Sequence, residues 1–416
     1  MKSEFLNILQ SRSFFHQATD LEALDDLMAT QKVTGYIGFD ASADSLHIGS
    51  LLQIMMLRWL QQTGHRPVVL LGGATSKVGD PSFKDTARQL LDDATIQANI
   101  AGIRKSFMPF LDMDQALLVN NDDWLGNLNY MAFLRDYGRH FSVNRMLSFD
   151  SVKLRIDREH SLSFLEFNYM ILQGYDFLEL FRNHGCILQM GGSDQWGNIV
   201  NGIELTRRVV GKQVFGLTSP LITTASGVKM GKTVNGAVWL NADRLSAYDY
   251  WQFWRNTEDA DVGRYLRLFT ELPLGEIARL EALQGAEINE AKKVLADHTT
   301  ALAHGKDCLT DIHHTVASLF EHQSNGTLDG LPCFEIAADE IARGISVVDL
   351  LCQSGLTASK GEARRLIQGS GARINDSLVT DEGQMVTPDI IQGDQIKLSA
   401  GKKRHIVVRV VGKWLL

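Results

Sequence analysis

Hydrophobic and polar positions along this chain follow two rhythms, and the changes between them mark the elements. Residues 36–39 are a short β-prone run that breaks into the polar turn Asp40-Ala41-Ser42-Ala43-Asp44-Ser45. Leu51, Leu52, Met55, Met56, Trp59 and Leu60 then recur on one face of a helix. Asp44 or Ser45 is placed to cap that helix and Gly64 to stop it. Residues 68–71 read as a buried parallel strand entering Gly72-Gly73. Ser163, with Glu166 in the box position, starts a second helix that is apolar nearly all round, as buried helices are. Residues 297–320 form a helical stretch, and Gln323-Ser324-Asn325-Gly326-Thr327 and the segment around Leu331-Pro332 break the periodicity. Ser346 with Asp349, and Ser359 with Glu362, open two further helices, which end near Gly355 and Gly369. Residues 372–375 and 393–398 then alternate as strands.

Three of these places carry chemistry. The strand–turn–helix at 36–60 points free backbone N–H groups at the turn, where an anion is favoured, and Ser42 and His47 would add side-chain donors. An ordinary βαβ turn with His47 as a simple cap fits the same pattern. The loop Lys229-Met230-Gly231-Lys232-Thr233 lies between turn formers. Its lysines are either solvated surface charge or mobile cations that neutralise a departing phosphate group. On the buried helix, Tyr169, Gln173 and Asp176 fall at i, i+4 and i+7 and share one face. Burying three polar groups there is costly unless each finds a partner. They either satisfy one another and nearby backbone or line a small polar ligand, and three in register favour the ligand.

Composition narrows the class. With 416 residues, 44% hydrophobic and 22% charged, the chain is long enough for two or three domains with large cores. It has no apolar run of membrane-spanning length and no leader pattern, so a cytoplasmic enzyme is expected. Cys186, Cys308, Cys333 and Cys352 are scattered without a Cys-x-x-Cys pair, so neither a structural zinc nor a disulfide framework is expected. The net charge is −8, but from Ile341 onward 11 Lys and Arg face 7 Asp and Glu, which leaves −12 on the rest. Only the C-terminal part offers broad attraction to a polyanion.

The first and second loops resemble the two nucleotide signatures of class I aminoacyl-tRNA synthetases, His-Ile-Gly-His and Lys-Met-Ser-Lys-Ser. Residues 169–176 and Gly191-Gly192-Ser193-Asp194-Gln195-Trp196-Gly197-Asn198 resemble the bacterial tyrosyl enzymes of that class. So do Gly79-Asp80-Pro81-Ser82, Lys84 and Arg88. The basic helix–loop–helix–strand unit with Lys360, Arg364, Arg365 and Arg373 resembles the S4 RNA-binding domain. The resemblance implies an α/β fold with a Rossmann-like parallel-sheet catalytic domain over 1–220. A loop-bearing helical domain over 221–322, a linker over 323–344 and a small α+β S4-like domain over 345–416 would follow.

It also implies roles. Tyr36 and Asp176 would meet the phenol of L-tyrosine; Asp80, Tyr169 and Gln173 its ammonium group; and Gln195 its carboxylate. Gly38 and Asp40 would lie by the α-phosphate of ATP, and Gly192 and Asp194 by the ribose. Ser42, His47, Lys84, Arg88, Lys229, Lys232 and Thr233 would serve the phosphates and the transition state, and Gly49 and Ser50 would bind ATP, Ser50 by a hydrogen bond to the ribose. Lys360, Arg364, Arg365 and Arg373 would contact tRNA(Tyr). Mg²⁺ would accompany ATP, with no protein-held metal, and two copies would pair through the region 120–148, where Tyr130, Phe133, Leu134, Phe141 and Met146 could equally be monomer core. Two positions depart from the signatures: Ser50 replaces the second histidine, and Gly231 with Thr233 replaces the two serines. A tryptophanyl enzyme, or an RNA-binding protein on a disabled synthetase scaffold, are the competing expectations.

Overall fold

The computed structural model describes residues 1–82, 90–227, 230–233, 236–320, 331–401 and 404–412. The chain divides into two compact units, Met1–Leu245 with Phe253–Gly305, and Ser246–Gln252 with Lys306–Leu416.

In the first unit the apolar runs assemble into a six-stranded sheet. Its strands are β1 (Gln17–Ala18), β2 (Thr34–Asp40), β3 (Arg66–Gly72), β4 (Leu117–Asn120), β5 (Leu188–Gly192) and β6 (Phe215–Ser219). They lie in the order β1-β6-β5-β2-β3-β4, all pairs parallel except β1 with β6. From β2 the chain winds one way through β3 to β4, then returns to the middle and winds the other way through β5 and β6. Strands β2 and β5 therefore flank the point of reversal. In open α/β sheets that point leaves a crevice at the carboxyl ends of the strands, where ligands bind. β5 and β6 are buried along their whole length, as strands covered on both faces are.

Helix Ile48–Gln62 buries the six apolar residues of its expected face. Its cap differs from expectation. Neither Asp44 nor Ser45 caps it; His47 does, with Nδ1 accepting the Gly49 N–H at 2.9 Å. Ser45 instead turns its hydroxyl to the Leu46 carbonyl. Helix Phe164–His184 begins with the expected capping box, both halves formed between Ser163 and Glu166. Its burial is less complete than the sequence pattern suggests, because Phe164 and Leu165 in the first turn are exposed.

Beneath that first turn, Arg155 from helix Asp150–Asp157 reaches Glu166 with two nitrogens, at 2.9 and 3.3 Å, and donates to the Ser161 carbonyl. Both side chains are buried. Burial pushes the Glu166 carboxyl up, but hydrogen bonds from Ser163 and Arg155 outweigh it and leave it below the usual glutamate value. The pair fixes where the long helix starts, and hence the phase of its polar face.

The region expected as one helical domain over 221–322 is shared out. Residues 253–305 group with the first unit, and the stretch 297–320 is two helices, Ile288–His304 and Cys308–Phe320, interrupted at Gly305. Of the expected linker 323–344, residues 323–330 lie outside the described residues, and the rest includes regular elements. Cys333–Ala337 is a strand of the C-terminal sheet, pairing parallel with Arg404–Val411, and Ala338–Ala342 is helical. Phe334 and Ile336 of that strand face the core while Cys333, Glu335 and Ala337 face outward, an alternation of only five residues. That sheet runs in the order Ser377–Leu378, Ala372–Ile374, Gln395–Ala400, Arg404–Val411, Cys333–Ala337. Helices Val347–Gln353 and Lys360–Gln368, capped by Ser346 and Ser359 as expected, pack Leu350, Leu351, Ala363 and Ile367 into its core.

Removing one partner of a buried ion pair strands the other, so Arg155→Ala should cost about 3–5 kcal/mol in urea unfolding. Because the folded Glu166 value is depressed, its contribution is present above the ordinary value of 4.5 and is lost as pH falls through the folded value. A variant as stable as the parent at pH 7 would show that the pair does not hold the helix start.

Candidate active site

The crevice between β2 and β5 is a cleft of about 470 Å³. Tyr36, Gly38 and Asp40 enter it from β2, and Gln189 and Gly192 from β5, with Asp194 and Gln195 just beyond. Ser42, His47, Gly49 and Ser50 enter from the turn and the next helix, and Asp80 from the segment after β3. Tyr169, Gln173 and Asp176 enter from the long helix. The structure thus brings together fourteen of the residues singled out by sequence. Lys84, Arg88 and Lys229 lie outside the described residues, while the backbone of Lys232–Thr233 pairs antiparallel with Gly236–Ala237.

At the closed end the groups are buried and only partly satisfied. Tyr36 is 1% exposed, its ring edge-on to Phe177 at 5.3 Å, and its hydroxyl has no hydrogen-bond partner among the described residues. Burial, with the nearby Asp176 charge, pushes its phenol well above the usual value. The Asp176 carboxylate accepts from Trp124 Nε1 at 2.8 Å and Asn121 Nδ2 at 3.0 Å. Burial raises its carboxyl to about 7; those two donors pull it down, and the Asp40 charge pushes it up further. Directly opposite Tyr36 in the β2–β5 pairing stands Gln189, whose Oε1 is also buried without a partner.

In the middle of the cleft the polar side chains are joined in short chains. Tyr169 donates to Asp40 at 3.0 Å, and Thr75 donates to the other Asp40 oxygen at 2.8 Å. Asn121 Nδ2 also reaches Thr75 Oγ1 at 3.0 Å. Gln195 Nε2 donates to Asp80 at 2.8 Å, while Asn198 Nδ2 donates to both Gln195 Oε1 and Gln173 Oε1. The face Tyr169–Gln173–Asp176 is therefore satisfied by other elements and not by its own members. Burial, and then the Asp40 and Asp80 charges, push the Tyr169 phenol well above its ordinary value. A region that holds several carboxylates beside phenols suits a ligand with a cationic group.

At the open end the two signature loops touch. Ile48 N–H donates to the Val238 carbonyl at 2.9 Å and Leu240 N–H to the Leu46 carbonyl at 2.8 Å, which joins the first loop to residues 238–240 after the second, with His47 and Trp239 bridged between them. Gly231 has φ +108°, and a Cβ there would lie 2.7 Å from His47 Nδ1. Only glycine lets the lysine loop seat on the histidine in this way.

Sequence reasoning missed four residues of the site and named Asn198 in the 191–198 run without giving it a role. Thr75, Asn121 and Trp124 are ordinary in type, and only the fold brings them to the acids. Asn121 and Trp124 fell in a segment read as a subunit contact. Gln189 carried a signal, as the one polar side chain in an otherwise apolar β5. The four basic residues Lys360, Arg364, Arg365 and Arg373 are exposed in the second unit, apart from the cleft lining. Lys360 pairs with Asp349 at 2.6 Å and Arg364 with Glu382 at 3.7 Å.

Residues 28–321 match the family described as tRNA synthetases class I (W and Y), and residues 324–408 match the tyrosine–tRNA ligase SYY-like C-terminal domain. The tyrosine–tRNA ligase of Rhodospirillum rubrum is 62% identical over 414 residues, 99% of each chain. That of Zymomonas mobilis is 60% identical over 412 residues, 98% of each chain. A C-terminally truncated mitochondrial tyrosyl-tRNA synthetase of Aspergillus nidulans is 32% identical and superposes with a TM-score of 0.68, over 76% of this chain and 94% of its own. The first match spans tryptophanyl and tyrosyl enzymes alike, whereas the C-terminal match and the full-length relatives are tyrosyl. Neither the tryptophanyl expectation nor that of a disabled scaffold is supported. The chain belongs to the tyrosyl branch of the class I aminoacyl-tRNA synthetase family, and its reaction is the ATP-dependent joining of tyrosine to tRNA.

Proposed function

We propose a division of labour within the cleft. Tyr36 and Asp176 read the phenol of tyrosine, Asp80, Tyr169 and Gln173 hold its ammonium group, and Gln195 steadies its carboxylate. That carboxylate attacks the α-phosphorus of ATP, so no enzyme nucleophile is needed. Gly38 and Asp40 lie by the α-phosphate, and Gly192 and Asp194 by the ribose. Ser42 and His47, with Lys84, Arg88, Lys229, Lys232 and Thr233, stabilise the charge that develops as pyrophosphate leaves. Gly49 and Ser50 bind ATP, Ser50 toward the ribose. A ribose hydroxyl at the 3′ end of tRNA(Tyr) then displaces the adenylate. The observation that carries this reading is the partnerless Tyr36 hydroxyl, buried at the cleft's closed end within electrostatic reach of Asp176.

Mg²⁺ belongs in this reading to the ATP triphosphate, where it neutralises phosphate charge. Among the described residues no group of three or more His, Cys, Asp or Glu side chains is placed to hold a metal ion. We further propose a homodimer. Phe133 and Met146 are monomer core, but Tyr130, Met131, Val143 and Leu147 of the same region are exposed, as are Phe164 and Leu165. So much exposed apolar surface is costly unless covered, and a second copy would cover it. The likeness to bacterial tyrosine–tRNA ligases supports a cytoplasmic enzyme in this reading. Lys360, Arg364, Arg365 and Arg373 bind its phosphates.

Selectivity against phenylalanine would come from groups left desolvated and unpaired when the hydroxyl is missing. Tyr36→Phe should keep the pocket's shape yet erode the tyrosine-over-phenylalanine ratio of kcat/KM by about 1–2 kcal/mol. An unchanged ratio would show that Tyr36 does not read the phenol.

A tyrosine phenol that donates to Asp176 selects the ionised carboxylate. With that group near 7 in the free enzyme, tyrosine affinity should rise with pH through that value. Below it, affinity should fall by up to about tenfold per pH unit. Equilibrium titrations between pH 6 and 8 that give a flat affinity would remove Asp176 from this role.

His47→Ala and Lys232→Ala should each slow pyrophosphate exchange far more than they weaken tyrosine binding, since both act on charge that develops in the transition state. Parent-like exchange in either variant would return that side chain to the class of simple cap or surface charge. Replacing Arg364, Arg365 and Arg373 by Gln should leave exchange intact, weaken tRNA binding and flatten its salt dependence. Normal salt dependence in that variant would deny the C-terminal unit its RNA role.

A further inference from the structure

The polar turn that carries Ser42 is not held by its own hydrogen bonds. Helix Asp93–Phe107 lies against it with Asn99, Gly102 and Ser106 at i, i+3 and i+7, one face of the helix. Asn99 Nδ2 donates to the Ala41 carbonyl at 2.8 Å, and the Ser106 hydroxyl accepts the Leu46 N–H at 3.2 Å. Between them the approach is so close that a Cβ on Gly102 would lie 1.9 Å from the Asp44 carbonyl oxygen. No side chain larger than hydrogen fits there.

One residue from beyond the lysine loop completes the arrangement. Asn241 is buried, and all of its polar groups are used. Its Nδ2 donates to the Gly102 carbonyl at 3.0 Å and to the Asp44 carbonyl at 3.4 Å. Its Oδ1 accepts from the Ser106 hydroxyl at 2.7 Å, and its backbone N–H reaches Ser45 Oγ at 3.3 Å. A single amide therefore ties the first signature's turn, the supporting helix and the segment 238–240 whose Val238 and Leu240 bond to residues 46–48. On the turn side of this tie lie Ser42 and His47; two residues before Asn241 lies Trp239, which bridges His47 and whose ring meets it edge-on at 6.2 Å.

We propose that Asn241 is a positioning residue for adenylate formation, fixing the spacing between the first signature's turn and the lysine loop so that both reach one ATP. This rests on the assignment of those two loops to the phosphates of ATP. Asn241 touches no cleft-lining atom of the tyrosine subsite, so its loss should act on ATP and not on tyrosine.

Asn241→Ala should lower kcat/KM for ATP in pyrophosphate exchange by about tenfold or more, since small displacements of reacting groups are costly. Tyrosine affinity, measured at equilibrium without ATP, should stay within about twofold. Ser106→Ala, which cuts the same link from the helix side and leaves the amide donors in place, should move the ATP parameter in the same direction by less. If Asn241→Ala fails to fold, Ser106→Ala decides. Parent-like ATP parameters in the folded variants, or tyrosine affinity lost in step with them, would overturn the proposal, the second result marking a merely structural role. The His47→Ala variant keeps the two ideas apart. Impaired exchange there with normal exchange in Asn241→Ala refutes the positioning role alone, and normal exchange in His47→Ala refutes the loop assignment beneath it.

Discussion

Everything at this site depends on the pairing of β2 with β5, two strands far apart in sequence that meet where the sheet reverses its winding. Their register sets Tyr36 opposite Gln189, so two polar tips end up side by side in a region otherwise filled by Val68, Leu70 and Phe177. A one-residue slip of either strand would turn its tip to the other face of the sheet and separate the pair. The long helix then lays Asp176 against that pair, and its own placement depends on where the buried Arg155–Glu166 contact starts it. Sheet register and helix phase together make the closed end of the cleft.

That end is destabilised by design of its chemistry. A carboxyl near 7, against an ordinary value of 3.8, keeps its proton in the folded chain across a pH interval where the unfolded chain has released it. The resulting stabilisation is greatest in acid and is lost as pH rises toward 7, so at neutral pH the folded state carries the cost of a buried charge. Asn121 and Trp124 offset part of it. The Tyr36 hydroxyl, without a partner, adds a further penalty that only a ligand can remove. The same groups that weaken the empty fold are those a phenol would satisfy, which is the physical basis of selectivity for a hydroxyl.

How legible all this was in the sequence varied with the range of the interaction responsible. The helix face from Leu51 to Leu60, the box at Ser163 and the strand at 68–71 depend on neighbours a few residues away, and periodicity found them. The shared face of Tyr169, Gln173 and Asp176 was visible for the same reason. Asn121, Trp124 and Thr75 gave no local signal, because their role comes from β3, β4 and the long helix converging in space. The cap at His47 was misjudged in favour of Asp44 or Ser45. Those residues have the better intrinsic capping preference, but Asn241 takes the Asp44 carbonyl and the Ser45 hydroxyl, and Arg244 the Asp44 carboxylate. The edge strand Cys333–Ala337 was read as linker because its alternation, with Phe334 and Ile336 inward, spans only five residues directly after the turn formers at 331–332, and its partner Arg404–Val411 is far away in sequence.

The departures from the class signature look different once the loops are seen in contact. Gly231 stands where serine is expected, and in isolation that is a lost hydroxyl. Here the backbone at Gly231 is left-handed, and its Cα faces the His47 ring, with the Gly49 nitrogen 3.0 Å from where a Cβ would be. A serine would have to push back either the ring or the helix start, and moving the ring breaks the bond from Gly49 that caps the helix. Glycine at 231 and histidine at 47 are thus one choice made twice, since each fits only because of the other. Ser50 belongs to the same logic: its N–H already closes on the His47 carbonyl at 2.8 Å, so the backbone geometry of the helix start does not depend on the side chain at that position. The chain thus departs from the signature at 231 because the left-handed backbone against His47 takes only glycine, and at 50 because only a side chain's reach is at stake.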